Sequence, residues 1–149
     1  SDFEVKFIKK KKIDKIIKKN VLKSKPLIGI CLGMQILFET SEESKKTLKG
    51  LSILKGYTAK LENTNVGWKN LISRKNIFKK FNKHYFYFNH SYYQICKNED
   101  VLSYIKVEKK VIPAIIRRGN TIGFQFHPEN SQVNGVKLID FILKQFTIL

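Results

Sequence analysis

The sequence predicts an α/β fold with a central mixed sheet and flanking helices. Three observations support this prediction. A short apolar run at 27–31, bounded by Pro26 and a glycine, is typical of a buried strand in a parallel sheet. A helical pattern follows it directly, so strand, tight turn and helix form one βα unit. The middle of the chain is rich in short β-type segments, and its C-terminal part returns to a helical pattern.

The first predicted element is a helix. The first helix has one apolar face, formed at helical spacing by Ile13, Ile16, Ile17 and Val21, and lysines occupy its other face. Pro26 ends this helix, because proline cannot continue the backbone hydrogen bonds. The βα unit follows, with its strand at 27–31 and its helix at 32–39.

Five further strands are predicted, at 57–61, 85–88, 102–107, 114–118 and 121–126. Gly119 and Asn120 lie between the last two and predict a two-residue hairpin turn. The C-terminal helix has Ser131 or Asn134 as a candidate cap. Its predicted apolar face consists of Val136, Ile139, Ile142, Leu143 and Phe146. The length of 149 residues suggests one domain, 1–149.

The net charge is large, but the lysines that carry it are spread along the whole chain. Lys and Arg total 29 against 12 Asp and Glu, a net charge of +17, and only Arg74, Arg117 and Arg118 are arginines. Nucleic-acid readers usually use arginine in a focused patch, so the composition argues against nucleic-acid binding. There is no apolar run long enough for a transmembrane helix and no signal peptide, and two cysteines make no disulfide framework. A cytoplasmic protein without membrane contact is predicted.

The segment Gly29-Ile30-Cys31-Leu32-Gly33 lies between the predicted strand and helix. This G-x-C-x-G pattern is typical of a nucleophile elbow, in which glycines let neighbouring backbone pass without a Cβ clash. The thiol is expected at a helix N-terminus, where partial positive charge lowers its pKa. The Leu32 N–H is positioned to donate to an oxyanion. The simpler alternative is a buried cysteine in an apolar strand.

His127 is the candidate base. It follows the strand 121–126 and precedes Pro128 and Glu129. In an extended segment, residues i and i+2 point the same way, so the Glu129 carboxylate can hold one ring nitrogen. The alternative for this short motif alone is an exposed turn.

The other candidates are weaker. His90 lies in the polar segment 89–93, which we interpret as a loop at a strand end, where α/β folds place ligand-binding groups. A structural loop histidine is the alternative. His84 and Cys96 have no motif around them, and we interpret them as a surface residue and a bystander. No C-x-x-C or close histidine pair is present, so no metal site is predicted.

The chain resembles class I (triad-type) glutamine amidotransferases, and among them the glutaminase subunits of imidazole glycerol phosphate synthase. The matching blocks are K-P-L-I-G-I-C-L-G-M-Q at 25–35, G-W at 67–68, N-H-S-Y-Y at 89–93, and Q-F-H-P-E at 125–129 with Ser131-Gln132. The resemblance runs from about residue 25 to the C-terminus. It implies a flavodoxin-like mixed sheet from which the family's N-terminal third, with its first strands and second oxyanion donor, is missing.

The resemblance also implies residue roles. Cys31 would be the nucleophile, His127 the base and Glu129 its orienter. The glutamine-binding positions would be Gly29, Leu32, Gln35, His90, Ser91 and Tyr92. The implied reaction is hydrolysis of the side-chain amide of L-glutamine through a thioester, without a cofactor. Ammonia would pass to a cyclase barrel subunit, the partner in a heterodimer of histidine biosynthesis.

The sequence leaves alternatives open. The same chemistry can supply ammonia for amination of a surface-polysaccharide sugar. A non-catalytic truncated homologue that only binds a partner is a further alternative, but the retention of Cys31, His127 and Glu129 argues against it. A nucleic-acid-binding module is the most distant alternative.

Overall fold

A computed structural model describes residues 11–43, 46–73 and 75–147. The helices are α1 (Ile13–Leu22), α2 (Leu32–Gln35), α3 (Asn76–Lys79) and α4 (Gln132–Thr147). The strands are β1 (Leu27–Ile30), β2 (Thr40–Glu43), β3 (Lys46–Lys49), β4 (Tyr57–Asn70), β5 (Ile72–Ser73), β6 (Tyr85–Ile95), β7 (Val101–Val107), β8 (Lys110–Arg118) and β9 (Thr121–Phe124). Single 3₁₀ turns lie at Lys80–Lys83, Asn98–Asp100 and Pro128–Asn130.

The described strands form two mixed sheets. In the first, the order is β1-β9-β8-β7-β5, with β1 and β9 parallel and the other pairs antiparallel. In the second, the order is β3-β2-β4-β6, with only β2 and β4 parallel. The α/β class with flanking helices is therefore confirmed. The single central sheet is corrected to two sheets, because β4 and β6 pair with each other and not with the first sheet.

Two paired glycines bring α2 close to the first sheet. Gly29 of β1 lies opposite Gly123 of β9 in the parallel register. A Cβ atom on Gly29 would come within 2.9 Å of the Gly33 backbone and of the Leu37 side chain, and one on Gly123 would overlap Met34. Both strands therefore lack side chains where α2 crosses them, and this packing positions the turn between β1 and α2.

The predicted helix 32–39 is too long. Helix α2 ends at Gln35, because the next carbonyl groups bind a different part of the chain. Leu51 N–H donates to Ile36 O at 2.8 Å, and Ile53 and Leu54 N–H groups donate to Leu37 O at 2.8 and 2.9 Å. The strands β2 and β3, which the sequence analysis did not predict, follow this turn.

The apolar face predicted for the C-terminal helix is partly wrong. In the part of α4 whose side chains are described, Leu138 and Ile142 are fully buried, whereas Val136 is 68% and Leu143 45% exposed. Val136 and Leu143 instead line an open groove of about 560 Å³ between α4 and β1. The side chain of Phe146 lies outside the described residues.

The hairpin turn at Gly119-Asn120 is confirmed, since Arg118 of β8 pairs with Thr121 of β9. The largest apolar core lies between the two sheets, with α4 packed against it, and contains Phe86, Phe88, Phe124 and Phe126. A second core surrounds α2. No helix in the described part of the chain is long and apolar enough to cross a membrane.

Candidate active site

Cys31 lies in a sharp turn at the carboxyl end of β1. Its backbone has φ 51° and ψ −109°, a conformation that a residue with a side chain rarely adopts. The turn is held on both sides: Cys31 N–H donates to Phe124 O at 2.6 Å, and the N–H groups of Met34 and Gln35 donate to Cys31 O at 3.1 Å. The G-x-C-x-G segment therefore forms the strained strand-to-helix elbow that the sequence predicted.

His127 and Glu129 form a hydrogen-bonded pair just after β9. His127 Nδ1 lies 2.7 Å from Glu129 Oε1, and the two side chains are 27% and 53% exposed. A carboxylate at this position accepts a hydrogen bond from Nδ1–H, which leaves Nε2 as the nitrogen that can take a proton from a nucleophile. This pairing of residues i and i+2 is the one expected from the sequence.

Strand β6 connects the elbow to the His127 turn. Asn89 O accepts a hydrogen bond from the Cys31 thiol at 3.8 Å. Two residues earlier in the strand, Tyr87 O accepts a hydrogen bond from the His127 N–H at 3.0 Å. Carbonyl groups two residues apart in a strand point the same way and lie about 7 Å apart. Cys31 and His127 are therefore neighbours along one edge of β6, and both follow the ends of adjacent parallel strands.

Ser131 fixes the turn that carries His127. Its hydroxyl donates to His127 O at 2.7 Å and accepts from Tyr87 N–H at 3.0 Å. The side chain is fully buried. Ser131 was predicted as a possible helix cap, and in the structure its hydroxyl ties the turn to β6.

Burial has the largest effect on the pKa of the Cys31 thiol. Desolvation raises the pKa of the Cys31 thiol above its usual value, the Leu32 N–H lowers it, the Glu129 carboxylate raises it, and the Gln125 amide lowers it. The net direction is upward, so the predicted lowering by the helix N-terminus is present at the Leu32 N–H but is outweighed by burial. Helix α2 has a single turn, and its partial charge does not offset the loss of water around the sulfur.

The segment predicted as a ligand loop is part of a strand. His90, Ser91 and Tyr92 lie inside β6, which extends from Tyr85 to Ile95. They pair with polar residues of β4: Ser91 Oγ lies 2.8 Å from Thr64 Oγ1, and Asn65 pairs with His90. Their expected contact with substrate stays a prediction, and the loop interpretation is corrected.

His90 is a buried neutral histidine. Its Nδ1 donates to Tyr92 O at 2.7 Å, so Nε2 accepts from Asn65 Nδ2 at 2.8 Å. Burial lowers the pKa of His90 from 6.5 to about 4, against the smaller effect of the Tyr92 carbonyl. With both ring nitrogens bonded, His90 holds β4 and β6 together beside the site.

The remaining predicted positions surround the elbow. Gln35 is 8% exposed and lies one turn after Cys31, while Gly29 supplies the close packing described above. A Cβ atom on Gly33 would meet nothing within 4 Å, so the expected clash at this second glycine is absent.

Burial raises the pKa of the Cys96 thiol to about 11, as suits a bystander. Within the described ranges, no group of three or more His, Cys, Asp and Glu side chains could hold a metal ion.

Sequence reasoning assigned no role to Gln125. Its Nε2 lies 3.8 Å from Cys31 Sγ, although the side chain is fully buried. The available signal was its position between two phenylalanines near the end of the predicted strand 121–126. A polar residue in such a run is expected to face a polar neighbour.

The sequence matches known proteins over most of its length. The model of the family "Glutamine amidotransferase class-I" matches residues 8–144. The HisH subunit of imidazole glycerol phosphate synthase from Thermotoga maritima is 37% identical over 131 residues, which are 86% of this chain and 63% of that protein. The HisH subunits of Carboxydothermus hydrogenoformans and Caldanaerobacter subterraneus are 35% and 44% identical, over 91% and 83% of this chain and 70% and 64% of theirs.

Solved structures support the fold. A glutamine amidotransferase crystal structure superposes with a TM-score of 0.72 at 17% identity, covering 96% of this chain and 72% of that one. The PurLQS structure from Thermotoga maritima gives 0.66 at 22% identity, covering 89% and 68%. The chain spans about two thirds of the length of the HisH relatives. With the match to the family model over nearly its whole length, the chain belongs to the class I glutamine amidotransferase family.

Proposed function

We propose that this chain hydrolyses the side-chain amide of L-glutamine and supplies the ammonia to a cyclase subunit. The observation that carries the proposal is the strained elbow at Cys31 next to the hydrogen-bonded His127–Glu129 pair. A thiol nucleophile, an imidazole base and a carboxylate that orients the base are the parts that acyl transfer requires. We treat residues 1–149 as belonging to one glutamine amidotransferase domain.

Each residue then has a role. Cys31 attacks the carboxamide carbon after His127 Nε2 takes its proton, and the developing oxyanion accepts from the Leu32 N–H. His127 returns the proton to the departing ammonia, which leaves a thioester on Cys31. Water, activated by His127, then releases glutamate. Glu129 keeps the imidazole in the tautomer that this sequence of steps needs.

The relatives support the proposed substrate and partner. The HisH proteins are subunits of imidazole glycerol phosphate synthase by name, and they favour histidine biosynthesis over amination of a sugar. Gly29, Leu32 and Gln35 border the nucleophile and are proposed to contact glutamine. Ser91 and Tyr92, next to the buried His90, are proposed to contact it from β6. Two free cysteines fit a reducing compartment, and we propose the cytoplasm.

Two cysteine variants test the chemistry. Cys31→Ala is expected to abolish glutamate release from glutamine, measured with the cyclase subunit present, because no other thiol lies in the elbow. Cys96→Ala is the matched control and should retain the activity. Circular dichroism of both variants checks that the fold is kept. Equal activity of Cys31→Ala and the unchanged chain would contradict the proposal, as would covalent labelling of Cys96 alone by an electrophilic glutamine analogue.

A further inference from the structure

Gln125 contacts the proposed nucleophile and has no part in the steps above. Its side chain is fully buried, and its Nε2 lies 3.8 Å from Cys31 Sγ. Its Oε1 has no hydrogen-bond partner among the described residues. A buried amide oxygen without a partner destabilises a fold, so packing alone does not explain a glutamine here.

The backbone at Gln125 is held firmly. Gln125 N–H donates to Ala114 O at 2.9 Å, which extends the pairing of β9 with β8 by one residue. The flanking Phe124 and Phe126 are fully buried, and their ring centroids lie 5.4 Å apart. The backbone on both sides is therefore fixed, and from it the side chain reaches the sulfur.

We infer that Gln125 is a positioning residue whose amide N–H stabilises the thiolate form of Cys31. This inference deepens the proposed glutaminase function and rests on it. A neutral thiol is a weak acceptor, so the resting contact satisfies the amide poorly. Once the proton has moved to His127, the sulfur is an anion and the same contact becomes a charge-assisted hydrogen bond. The buried amide is thus better paired in the reactive state than in the resting one.

The other groups around the sulfur make this donor necessary. Glu129 places a negative charge nearby, and Asn89 O presents an acceptor from β6; both disfavour a thiolate. The elements on either side of Cys31, β1 and α2, contain no ionisable side chain. The Leu32 N–H also donates to the sulfur, but it is needed by the oxyanion during attack. Gln125 is the donor that stays with the sulfur, while His127 carries the positive charge.

The test compares two buried glutamines. Gln125→Met keeps the volume of the side chain and removes its donor. Gln94→Met is the matched control, because Gln94 is 1% exposed and both its amide atoms lack partners in the described part of the chain. Alkylation of Cys31 by iodoacetamide is followed across pH by peptide mass spectrometry, which separates Cys31 from Cys96. Thermal unfolding is recorded for each variant.

We expect Gln125→Met to raise the apparent pKa of the Cys31 thiol by about one unit and to slow its alkylation at neutral pH about tenfold. Its melting temperature should not fall, since the change also removes an unpaired buried oxygen. With the cyclase subunit, kcat for glutamine hydrolysis should fall about tenfold with little change in KM. Gln94→Met should alter neither the thiol profile nor kcat.

An unchanged alkylation profile in Gln125→Met would overturn the inference, as would an equal shift in Gln94→Met. The thiol measurement needs no glutamine turnover. If the unchanged chain fails to hydrolyse glutamine and the profile still shifts, the proposed function fails while the role of Gln125 at the thiol stands.

Discussion

At the scale of single residues, Glu129 has two opposing effects on the site. It binds His127 Nδ1 at 2.7 Å, and its charge raises the pKa of the Cys31 thiol. Glu129→Gln should therefore lower the rate of glutamine hydrolysis, by about 10- to 100-fold, because the imidazole loses its orienting anion. The same change should lower the thiol pKa and speed alkylation of Cys31 at neutral pH. Parallel assays of both rates check this, and a slower alkylation would contradict the assigned direction.

Because His90 is buried in its neutral form, the folded protein is expected to lose stability in acid. Its pKa is lowered to about 4 in the fold, whereas the unfolded chain titrates near 6.5. Between these values only the unfolded state takes up the proton, so this contribution is complete above pH 6.5 and is lost as the pH falls toward 4. The expected loss is about 3 kcal/mol.

Denaturant unfolding between pH 7 and pH 4 measures this loss. His90→Gln should flatten the decline, because glutamine can accept from Asn65 without a charge change. His84→Gln, at a half-exposed histidine, is the control and should decline like the unchanged chain. A decline in His90→Gln as steep as in the control would contradict the assignment to His90.

The sequence predicted Cys31, His127 and Glu129 because their spacing is local: five residues form the elbow, and three place the acid beside the base. It did not predict the environment of His90. The polar segment 89–93 resembles a loop when considered alone, and it becomes a strand only because Thr64 and Asn65 of β4 supply polar partners for it. That information is about 25 residues away in the chain, as is usual for cross-strand pairs.

At the scale of elements, alanine is expected to have opposite effects on stability at a glycine under α2, Gly123, and at the glycine within α2, Gly33. Gly123→Ala should destabilise the fold by about 1–3 kcal/mol, because the added methyl overlaps Met34. Gly33→Ala should leave stability unchanged or raise it by up to about 1 kcal/mol, since its Cβ meets nothing and alanine favours a helix. Urea unfolding measures both changes, and equal destabilisation of the two variants would refute the packing account.

Activity adds a second readout to these variants. Gly33→Ala that folds normally but has a higher KM for glutamine would indicate that the open space at Gly33 belongs to the substrate. An unchanged KM would indicate that the space is not used. Either outcome leaves the stability prediction for Gly123 untouched.

Element boundaries show where local patterns fail. The apolar run Ile36-Leu37-Phe38 continues a helical pattern, but its carbonyl groups bind the 51–54 segment, and the helix stops at Gln35. Likewise, the face of α4 was chosen by periodicity, and the structure buries Leu138 instead of Val136. In both cases tertiary contacts decide between two patterns that the sequence permits.

At the scale of the whole molecule, the net charge of +17 is expected to lower stability through repulsion between the lysines. Among the described residues, the ion pairs Lys97–Glu99, Arg118–Asp100 and Lys144–Asp140 are mostly exposed, so they offset little of the repulsion between the lysines. Raising NaCl from about 0.01 M to about 0.15 M shortens the Debye length from about 30 Å to about 8 Å, and the melting temperature should rise.

A charge-reduced variant provides the control for this salt effect. Lys79→Glu with Lys83→Glu changes two exposed lysines and should reduce the salt-dependent rise. Differential scanning calorimetry at each salt concentration measures it. A melting temperature that falls with salt in the unchanged chain would show that ion pairs outweigh repulsion.

The hydrogen bond between Cys31 N–H and Phe124 O has a consequence for local opening. This 2.6 Å bond continues the pairing of β1 with β9 into the elbow itself. An amide hydrogen in such a bond exchanges with solvent deuterium only when the two strands separate. The backbone of the nucleophile therefore belongs to the slow-exchanging core, although its side chain reacts. The His127 N–H, which donates to Tyr87 O at 3.0 Å, should exchange slowly for the same reason, so the backbone holds both the nucleophile and the base in place.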